Sequence, residues 1–278
     1  DDVLDNPGVF PIANWFGGDL DGATIALENG YFDELGVSTI WLSPVNQQVN
    51  RSMKARSSDH QIAPYHGYWP TKAREVEPRF GGAEALRTFV KKAHERGIRV
   101  LLDLINNQVH EEHEYVVENP DWFRTDCVCG TPGCGWSEKP LSCLFAQYLP
   151  DIDWTQVGAR KRFIEDAIYW IEEFDVDGFR VDAVKHVETT AIYNMRSKLN
   201  RRFEQGGHRI LMLGETAVGA GDRFDQLCVQ YNSGYEWISA YTGNNALDGQ
   251  FDFPTHHRMG GLLTGGSFRD IEAALIDM

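Results

Sequence analysis

The residues of this chain best suited to chemistry are carboxylates that follow short apolar runs. Arg180 and Asp182 lie two positions apart, so on a strand both side chains point to the same face. An arginine at that spacing lowers the pKa of the carboxyl and keeps it ionised, as a carboxylate nucleophile requires. A structural salt bridge at a strand end explains the same spacing, so both interpretations remain open at this point.

A second carboxylate, Glu215, follows the run Ile210-Leu211-Met212-Leu213-Gly214 and so emerges from a buried strand. Low polarity around it would favour its protonated form and suit it to be a general acid. A glutamate that caps the next helix, or is simply exposed, is the alternative.

Ring-bearing residues are concentrated in one short stretch, Tyr65-His66-Gly67-Tyr68-Trp69. Such rings could stack on a sugar and form hydrogen bonds with its hydroxyls. A loop that packs its own aromatic residues is the alternative.

Four of the five cysteines, Cys127, Cys129, Cys134 and Cys143, lie close together. Two local disulfides would fit an exported enzyme, and four thiolates could instead bind zinc. The spacing is not a standard zinc pattern and the surroundings are rich in Gly, Pro and Ser, which favours disulfides. Cys228 lies in an apolar helical pattern and is predicted to be a buried thiol.

The 278 residues carry a formal net charge of −15. This excess of acid argues against nucleic acid or an anionic membrane as partner, and it is compatible with a neutral sugar and with bound cations. No apolar run approaches the roughly 20 residues of a membrane span. The N-terminus lacks the pattern of a signal peptide, so any export signal has been removed or was never there.

The elements that must position these residues alternate between short apolar runs and amphipathic helices. Helical periodicity covers 83–96, 163–171, 188–205 and 267–278. The predicted strands are 39–42, 99–105, 178–183, 210–213 and 250–253. This alternation indicates parallel βαβ units.

The position of the polar residues distinguishes a barrel from a doubly wound sheet. Asp103, Asp182 and Glu215 end three different strands, which is the layout of a barrel active site, and no glycine-rich phosphate loop follows a strand. From Asn107 to Pro150 no regular period is found, so this stretch is predicted to be an inserted Cys-rich subdomain. The resulting boundaries are 1–106 and 151–278 for the barrel and 107–150 for the insertion.

Taken together, these motifs resemble those of the α-amylase family in their order along the chain. They are Gly17-Gly18-Asp19-Leu20, Leu35 to Pro44, Tyr65 to Trp69, Phe80-Gly81-Gly82, His94 to Asp103, Leu149 to Asp153, Gly178 to His186 and Gly214-Glu215-Thr216. The resemblance covers nearly the whole chain.

The resemblance implies an α/β fold, a (β/α)8 TIM barrel with a B subdomain inserted after the third strand. It also implies a retaining mechanism on α-glucosidic bonds, with Asp182 as nucleophile, Glu215 as acid/base and Arg180 holding Asp182 anionic. The residues that would contact substrate are Tyr65, His66, Tyr68, Trp69, Gln108, Lys185 and His186, of which the last two line the leaving-group side.

Members of this family commonly hold a structural Ca2+ between the barrel and the B subdomain. The matching positions here are Asn107, Asp151 and the backbone carbonyl of His186. Oxygen ligands of this kind suit Ca2+.

The chain departs from the family pattern in two respects. Gln108 stands where a histidine is usual, and His110 is the nearest replacement. The third carboxylate that the family needs on the seventh strand is not reached before Met278, and the first, seventh and eighth strands are missing from the predicted set. We therefore expect the sequence to be a portion of a longer enzyme.

The expected activity is cleavage of internal α-1,4 bonds in starch or maltodextrins by a secreted, monomeric enzyme. A 4-α-glucanotransferase or cyclodextrin glucanotransferase would use the same residues. A non-catalytic glucan-binding relative is a third possibility, although such relatives usually lose the carboxylates that are present here.

Overall fold

The computed structural model describes residues 13–15, 18–55, 59–226 and 229–263, together with positions 265, 267, 269 and 272. The helices in these residues are α1 Leu20–Glu28, α2 Tyr31–Leu35, α3 Gly82–Glu95, α4 Glu114–Glu118, α5 Val157–Phe174, α6 Thr189–Phe203, α7 Gly234–Ala240 and α8 Phe253–Leu263. The strands are β1 Thr39–Leu42, β2 Met53–Lys54, β3 Gln61–Ile62, β4 Arg99–Leu104, β5 Phe123–Arg124, β6 Asp151–Ile152, β7 Gly178–Val181, β8 Leu211–Gly214, β9 Phe224–Gln226, β10 Val229–Tyr231 and β11 Gly249–Gln250.

The central sheet has five strands in the order β1-β4-β7-β8-β11, and every neighbouring pair is parallel. Helices α3, α5, α6 and α7 lie between successive strands along the chain. These are the βα units that the apolar runs predict, and five parallel strands in sequential order fit one wall of a (β/α)8 barrel.

The sheet is curled, so its two edge strands approach one another. The ring of Trp41 on β1 lies 5.9 Å from that of Phe251, which follows β11 at the opposite edge. The curvature therefore brings the carboxyl ends of the strands towards a common centre.

Close packing between β7 and β8 requires glycine at position 178, because a Cβ there would lie 2.1 Å from the carbonyl oxygen of Leu211.

Helices α3 and α5 cover the sheet with the apolar faces that the sequence periodicity predicts. Leu86, Phe89 and Val90 of α3 are buried, as are Phe163 and Ile164 of α5. Burial of each such side chain contributes about 1.5–3 kcal/mol. This packing fixes the outer layer against the strands that carry the site.

The predicted strand over 250–253 is wrong in its bounds, because β11 ends at Gln250 and Phe253 begins helix α8. The side chain of Asp252 accepts a hydrogen bond from the backbone N–H of Thr255 at 2.9 Å. This is an N-cap contact, and Pro254 in the first helical turn is compatible with it.

The segment between β4 and α5 contains the clustered cysteines. Cys127 is bonded to Cys134 and Cys129 to Cys143, so the disulfide interpretation is confirmed and the zinc alternative is wrong. Regular structure is sparse here, as predicted, but β5 pairs with β6 in antiparallel fashion. The insertion is thus tied to residues just beyond its predicted boundary at Pro150.

Some sequence predictions fall on residues outside the described part of the chain. These are Gly17, Cys228 and most of the helix predicted over 267–278. The segments on either side of Cys228 form the antiparallel pair β9 and β10 instead of the predicted helical pattern. Within the described residues, no helix combines the length and apolar character needed to cross a membrane.

Candidate active site

Arg180 lies at the centre of a cluster of carboxylates at the carboxyl edge of the sheet. Its Nη1 donates to both oxygens of Asp103, each at 2.9 Å, and to Oδ1 of Asp182 at 2.5 Å. Its Nη2 lies 2.7 Å from Oε2 of Glu215. One guanidinium thus joins three carboxylates, and the face of Trp41 covers it, with Cζ 5.0 Å from the ring centroid.

Strand register explains why these side chains meet. Asp103 on β4 lies opposite Arg180 on β7, and Val181 lies opposite Gly214 on β8. Asp182 and Glu215 therefore leave adjacent strands at the same level.

The chain turns sharply straight after Asp182. Ala183 has a φ of 47°, a left-handed conformation that costs a non-glycine residue roughly 1–3 kcal/mol. The backbone N–H of Val184 donates to the carbonyl oxygen of Glu215 at 2.8 Å. This contact ties the turn to the end of β8 and fixes the two carboxylates relative to each other.

Burial dominates the electrostatics of the cluster. It raises the pKa of Asp182 to about 7, with a further upward contribution from Asp103, while Arg180 acts in the opposite direction. Burial likewise raises the pKa of Asp103 to about 6 against Arg180 and a hydrogen bond from Tyr68. The prediction that Arg180 lowers the pKa of Asp182 is right for that contact alone and wrong for the net direction, because burial and the neighbouring carboxylate of Asp103 raise the pKa more than Arg180 lowers it.

Glu215 does not lie in the apolar surroundings predicted for it. It pairs with Arg180, and its side chain is 27% exposed. The exposed part opens towards a pocket that Asp182 also lines. A substrate oxygen can therefore reach Glu215 from solvent without rearrangement of the strands.

The aromatic cluster predicted to hold a sugar ring is attached to the carboxylates through Tyr68. The Tyr68 hydroxyl donates to Oδ2 of Asp103 at 2.9 Å. Nδ1 of His66 accepts from the backbone N–H of Tyr68 at 3.0 Å, and the two rings stack at 5.8 Å. Burial lowers the pKa of His66 to about 4, so the ring is neutral at pH 7. Gly67 between them has a φ of 90°, and a Cβ there would lie 2.6 Å from the carbonyl oxygen of Pro44.

The remaining members of the predicted sugar-binding set lie in different surroundings. Tyr65 is exposed, with its ring 5.4 Å from that of His66. Trp69 is buried in a separate apolar cluster, where its ring packs on that of Tyr148 at 5.2 Å. It therefore supports the aromatic stretch 65–69 from the interior of the protein. Gln108 is buried too, and its amide donates to the carbonyl oxygen of Tyr68 at 3.5 Å.

His110, the nearest replacement for the missing histidine, is fully buried. Its Nδ1 accepts from the backbone N–H of Glu112 at 3.1 Å. It therefore serves the local loop rather than the cleft.

Lys185 and His186 lie on the other side of the carboxylates. Nζ of Lys185 donates to the hydroxyl of Ser137 at 3.3 Å. Nδ1 of His186 lies 2.7 Å from the carbonyl oxygen of Pro140; since a carbonyl only accepts, Nδ1 carries the hydrogen. Burial lowers the pKa of Lys185, and it lowers that of His186 to about 4.

The three residues predicted to hold Ca2+ converge at the junction with the insertion. When the amide nitrogen of Asn107 donates to Gln108 at 3.2 Å, its amide oxygen faces Oδ1 of Asp151 and the carbonyl oxygen of His186, each at 3.0 Å. With the amide turned over, its nitrogen donates to these two oxygens instead. Three converging oxygens are a ligand set suited to a hard cation, so the residues present fit Ca2+.

Three features of the site were not among the predicted site residues. Asp103 was recognised as a strand-end carboxylate, but its contact with Arg180 depends on strand register. Trp136 lines the pocket from the insertion, and no motif includes it. Arg124 contacts Asp151, Asp153 and Glu188; as a lone arginine in a loop-rich segment it carries no sequence signal.

The chain matches the family model described as "Alpha amylase, catalytic domain" over residues 5–125 and 135–270. Among curated proteins it is 29% identical over 182 residues to "Alpha-amylase 3" of Dictyoglomus thermophilum, covering 61% of this chain and 33% of that protein. It is 30% identical over 192 residues to "Intracellular maltogenic amylase" of Bacillus subtilis, covering 66% and 29%. The chain thus spans about a third of the length of these relatives.

A solved structure of similar fold is the α-amylase of Geobacillus thermoleovorans in complex with acarbose. The TM-score is 0.70 and the sequence identity 26%, over 90% of this chain and 49% of that one.

Proposed function

The chain belongs to the family of α-amylase catalytic domains, and from that premise we propose that it carries the core of a retaining glycoside hydrolase site for α-linked glucans. Asp182 is the nucleophile and Glu215 the acid/base. The proposal rests chiefly on one observation, the single guanidinium of Arg180 that holds both carboxylates. Retaining enzymes keep their two carboxyl groups about 5–5.5 Å apart, whereas inverting enzymes leave room between them for a water molecule.

In the first step Glu215, protonated, gives its proton to the glycosidic oxygen as the C1–O bond breaks. An oxygen of Asp182 bonds to C1, and the leaving sugar departs with the proton. In the second step Glu215, now ionised, takes a proton from water as the water oxygen attacks C1 and the ester to Asp182 breaks. Arg180 stabilises the ionised Asp182 before attack and after release.

The neighbouring residues hold the sugar rings on either side of this bond. Tyr68 and His66 form a stacked pair beside Asp103, which suits the ring that undergoes cleavage. Lys185 and His186 line the pocket on the other side with polar groups, where hydroxyls of the leaving sugar would bind.

A trapping experiment tests the assigned roles. In Glu215→Gln, α-maltosyl fluoride should still react with Asp182, because fluoride needs no acid to leave. Water attack should be slow without the base. Mass spectrometry should then find one maltosyl unit on the peptide that contains Asp182. Labelling of another residue would overturn the assignment.

Transfer to a sugar hydroxyl is a second candidate activity, because the pocket beside Lys185 is large enough to hold an acceptor sugar. Products from maltoheptaose distinguish the two. Short oligosaccharides with a net gain of reducing ends indicate hydrolysis, and longer or cyclic glucans indicate transfer. Starch binding with neither product would indicate a non-catalytic glucan-binding protein.

The same proposal includes a structural Ca2+ held by Asn107, Asp151 and the carbonyl of His186. Bound there, the cation would join the B subdomain, residues 107–150, to the barrel. The convergence of the three oxygens supports it.

We also propose that the protein acts as a monomer in an oxidising compartment outside the cell, where its two disulfides would persist. The Bacillus subtilis relative is named as intracellular and so gives no support for export. The proposal of an extracellular location rests on the two disulfides instead. Alkylation of the unfolded protein without reductant should label Cys228 alone. Labelling of the four clustered cysteines would contradict it.

A further inference from the structure

The pocket beside the catalytic carboxylates contains an indole that the family motifs do not account for. Trp136 lines a pocket of about 340 Å3 together with Asp182 and Glu215. It is 43% exposed, although its ring also contacts Phe145 at 5.5 Å and His186 at 5.7 Å. Large aromatic residues exposed in a concave site bind ring-shaped ligands well, because they bury much apolar area at low conformational cost.

The backbone around Trp136 is held by the disulfides. Cys134 lies two residues before it and is bonded to Cys127, while the second disulfide joins Cys129 to Cys143. The sulfur atoms of the second disulfide and a ring nitrogen of His186 lie within 4.8 Å of one another. The cross-links thus brace the loop directly against the site.

Two hydrogen bonds connect the same loop to the residues on the leaving-group side. Ser137, next to Trp136, accepts from Nζ of Lys185 at 3.3 Å, and the carbonyl of Pro140 accepts from Nδ1 of His186 at 2.7 Å. The disulfide at Cys134 before Trp136 and these two hydrogen bonds after it hold the loop on both sides of the indole. A position fixed in this way is what a binding platform needs, since little freedom remains to be lost on binding.

We propose that Trp136 is the platform for the glucosyl ring on the leaving-group side of the scissile bond. The inference rests on the proposed function and extends it to a residue that sets acceptor preference. The ring bound there leaves in the first step and can return as acceptor in the second. In that return a hydroxyl oxygen of the acceptor sugar bonds to C1, the C1–O bond to Asp182 breaks, and the hydroxyl proton passes to Glu215.

The role predicts a loss confined to substrates that occupy this side. Trp136→Ala should lower kcat/KM for maltoheptaose about tenfold or more, because it removes binding realised on the leaving sugar. Hydrolysis of α-maltosyl fluoride, which has no leaving sugar, should stay within about twofold of wild type. The share of longer transfer products should fall, and Trp136→Phe should restore most of it.

Two further variants separate this role from a general disturbance. Tyr193 on helix α6 is as exposed as Trp136, at 43%, but it lines a different groove. Tyr193→Ala should therefore leave the cleavage of both substrates unchanged. Cys127→Ser with Cys134→Ser keeps the indole but frees its loop, and should reproduce the selective loss. Equal losses on both substrates, or none, in Trp136→Ala would overturn the inference.

Failure of the proposed function would give a different result, because the full-length wild-type protein would then release no fluoride and cleave no maltoheptaose. Calorimetric titration with maltotriose then decides the role of Trp136 by binding alone. Weaker binding to Trp136→Ala than to Tyr193→Ala would support the platform, and equal binding would overturn it.

Discussion

The guanidinium of Arg180 pairs with three carboxylates, those of Asp103, Asp182 and Glu215. Substitution of one carboxylate therefore leaves the cation paired and should preserve the fold. Asp182→Asn removes the proposed nucleophile and Glu215→Gln removes the proposed acid/base, while Arg180 keeps two carboxylate partners in each variant. We expect kcat for maltoheptaose to fall by roughly 10³–10⁵ in both, with cooperative melting retained. Activity within about tenfold of wild type in either variant would contradict the assigned roles.

The burial of Asp182 predicts that Asp182→Asn stabilises the protein at alkaline pH. The pKa of Asp182 is raised to about 7 in the folded state by burial, against about 3.9 in an unfolded chain. Its contribution to stability is therefore complete below about pH 4 and is lost as the pH rises through about 7. Asparagine does not titrate, so the variant avoids this loss.

The measurement is the melting temperature of wild type and Asp182→Asn between pH 4.5 and 8. We expect the advantage of the variant to grow by about 3 kcal/mol over this range of pH. The exposed residue Asp225 offers the control Asp225→Asn, which should show no such trend. A variant that loses stability as the pH rises would show that the buried charge is compensated in the native state.

The residue contacts also show which parts of the site could be read from sequence. Arg180 and Asp182 were predicted to meet because two positions on a strand share a face. Asp103 meets Arg180 across 77 residues of chain, through a strand register that no local pattern specifies. The pKa of Asp182 is raised chiefly by burial and further by Asp103, so its net direction could not be predicted from the Arg180–Asp182 pair alone.

Among the elements, β5 is short, yet it carries the residue that joins the insertion to the barrel. Arg124 donates to Oδ2 of Asp151 at 3.1 Å and to Oδ1 of Asp153 at 2.6 Å, and it also binds Glu188 and the carbonyl of Leu141. Asp151 and Glu188 are buried. Removal of the guanidinium would leave both without their ionic partner.

We therefore expect Arg124→Met to lower the free energy of unfolding by about 3 kcal/mol, as for other broken buried pairs. Arg202→Met is the matched control, because Arg202 on α6 pairs with Glu172 at the exposed surface; it should cost less than about 1 kcal/mol. Urea unfolding measures both. Equal effects of the two substitutions would mean that Arg124 contributes no more than a surface pair.

The elements that the sequence predicted well are those whose apolar pattern and burial coincide. β4 and β7 are mainly apolar and largely buried, and α3 and α5 each bury one apolar face, so local composition reflects the final environment. The prediction failed at β11, where Asp252 caps the next helix, and around Cys228, where residues 224–226 and 229–231 form an antiparallel pair. In both places a local hydrogen-bond pattern outweighs hydrophobic periodicity.

At the scale of the whole molecule, the barrel was predicted from the alternation of elements and from strand-end carboxylates. The curl that brings Trp41 near Phe251 could not be predicted, because it joins opposite edges of the sheet. The route of the insertion could not be predicted either. Between β5 and β6 the chain places Trp136, Ser137 and Pro140 at the edge of the site. No hydrophobic periodicity in the sequence indicates this course.

The junction of the two regions leads to a prediction about metal removal for the molecule as a whole. If Asn107, Asp151 and the carbonyl of His186 hold Ca2+, the ion links the insertion to two strand ends and binds only the folded chain. Ligand binding of this kind stabilises the native state by RT ln(1 + [L]/Kd), or about 2.7 kcal/mol at a hundredfold excess over Kd. EDTA should therefore lower the melting temperature, and Ca2+ in excess should restore it.

Substitution at Asn107 distinguishes the contribution of the cation to the melting temperature from that of contacts between protein groups. Asn107→Ala removes one of the three oxygens but leaves the Arg124–Asp151 pair intact, so this variant should melt at the same temperature with EDTA and with Ca2+. Arg124→Met keeps the three oxygens and should remain sensitive to EDTA. An unchanged melting curve of the wild type in EDTA would contradict the ion. In that case the amide nitrogen of Asn107, donating to Asp151 and to the carbonyl of His186, would join the two regions without a metal.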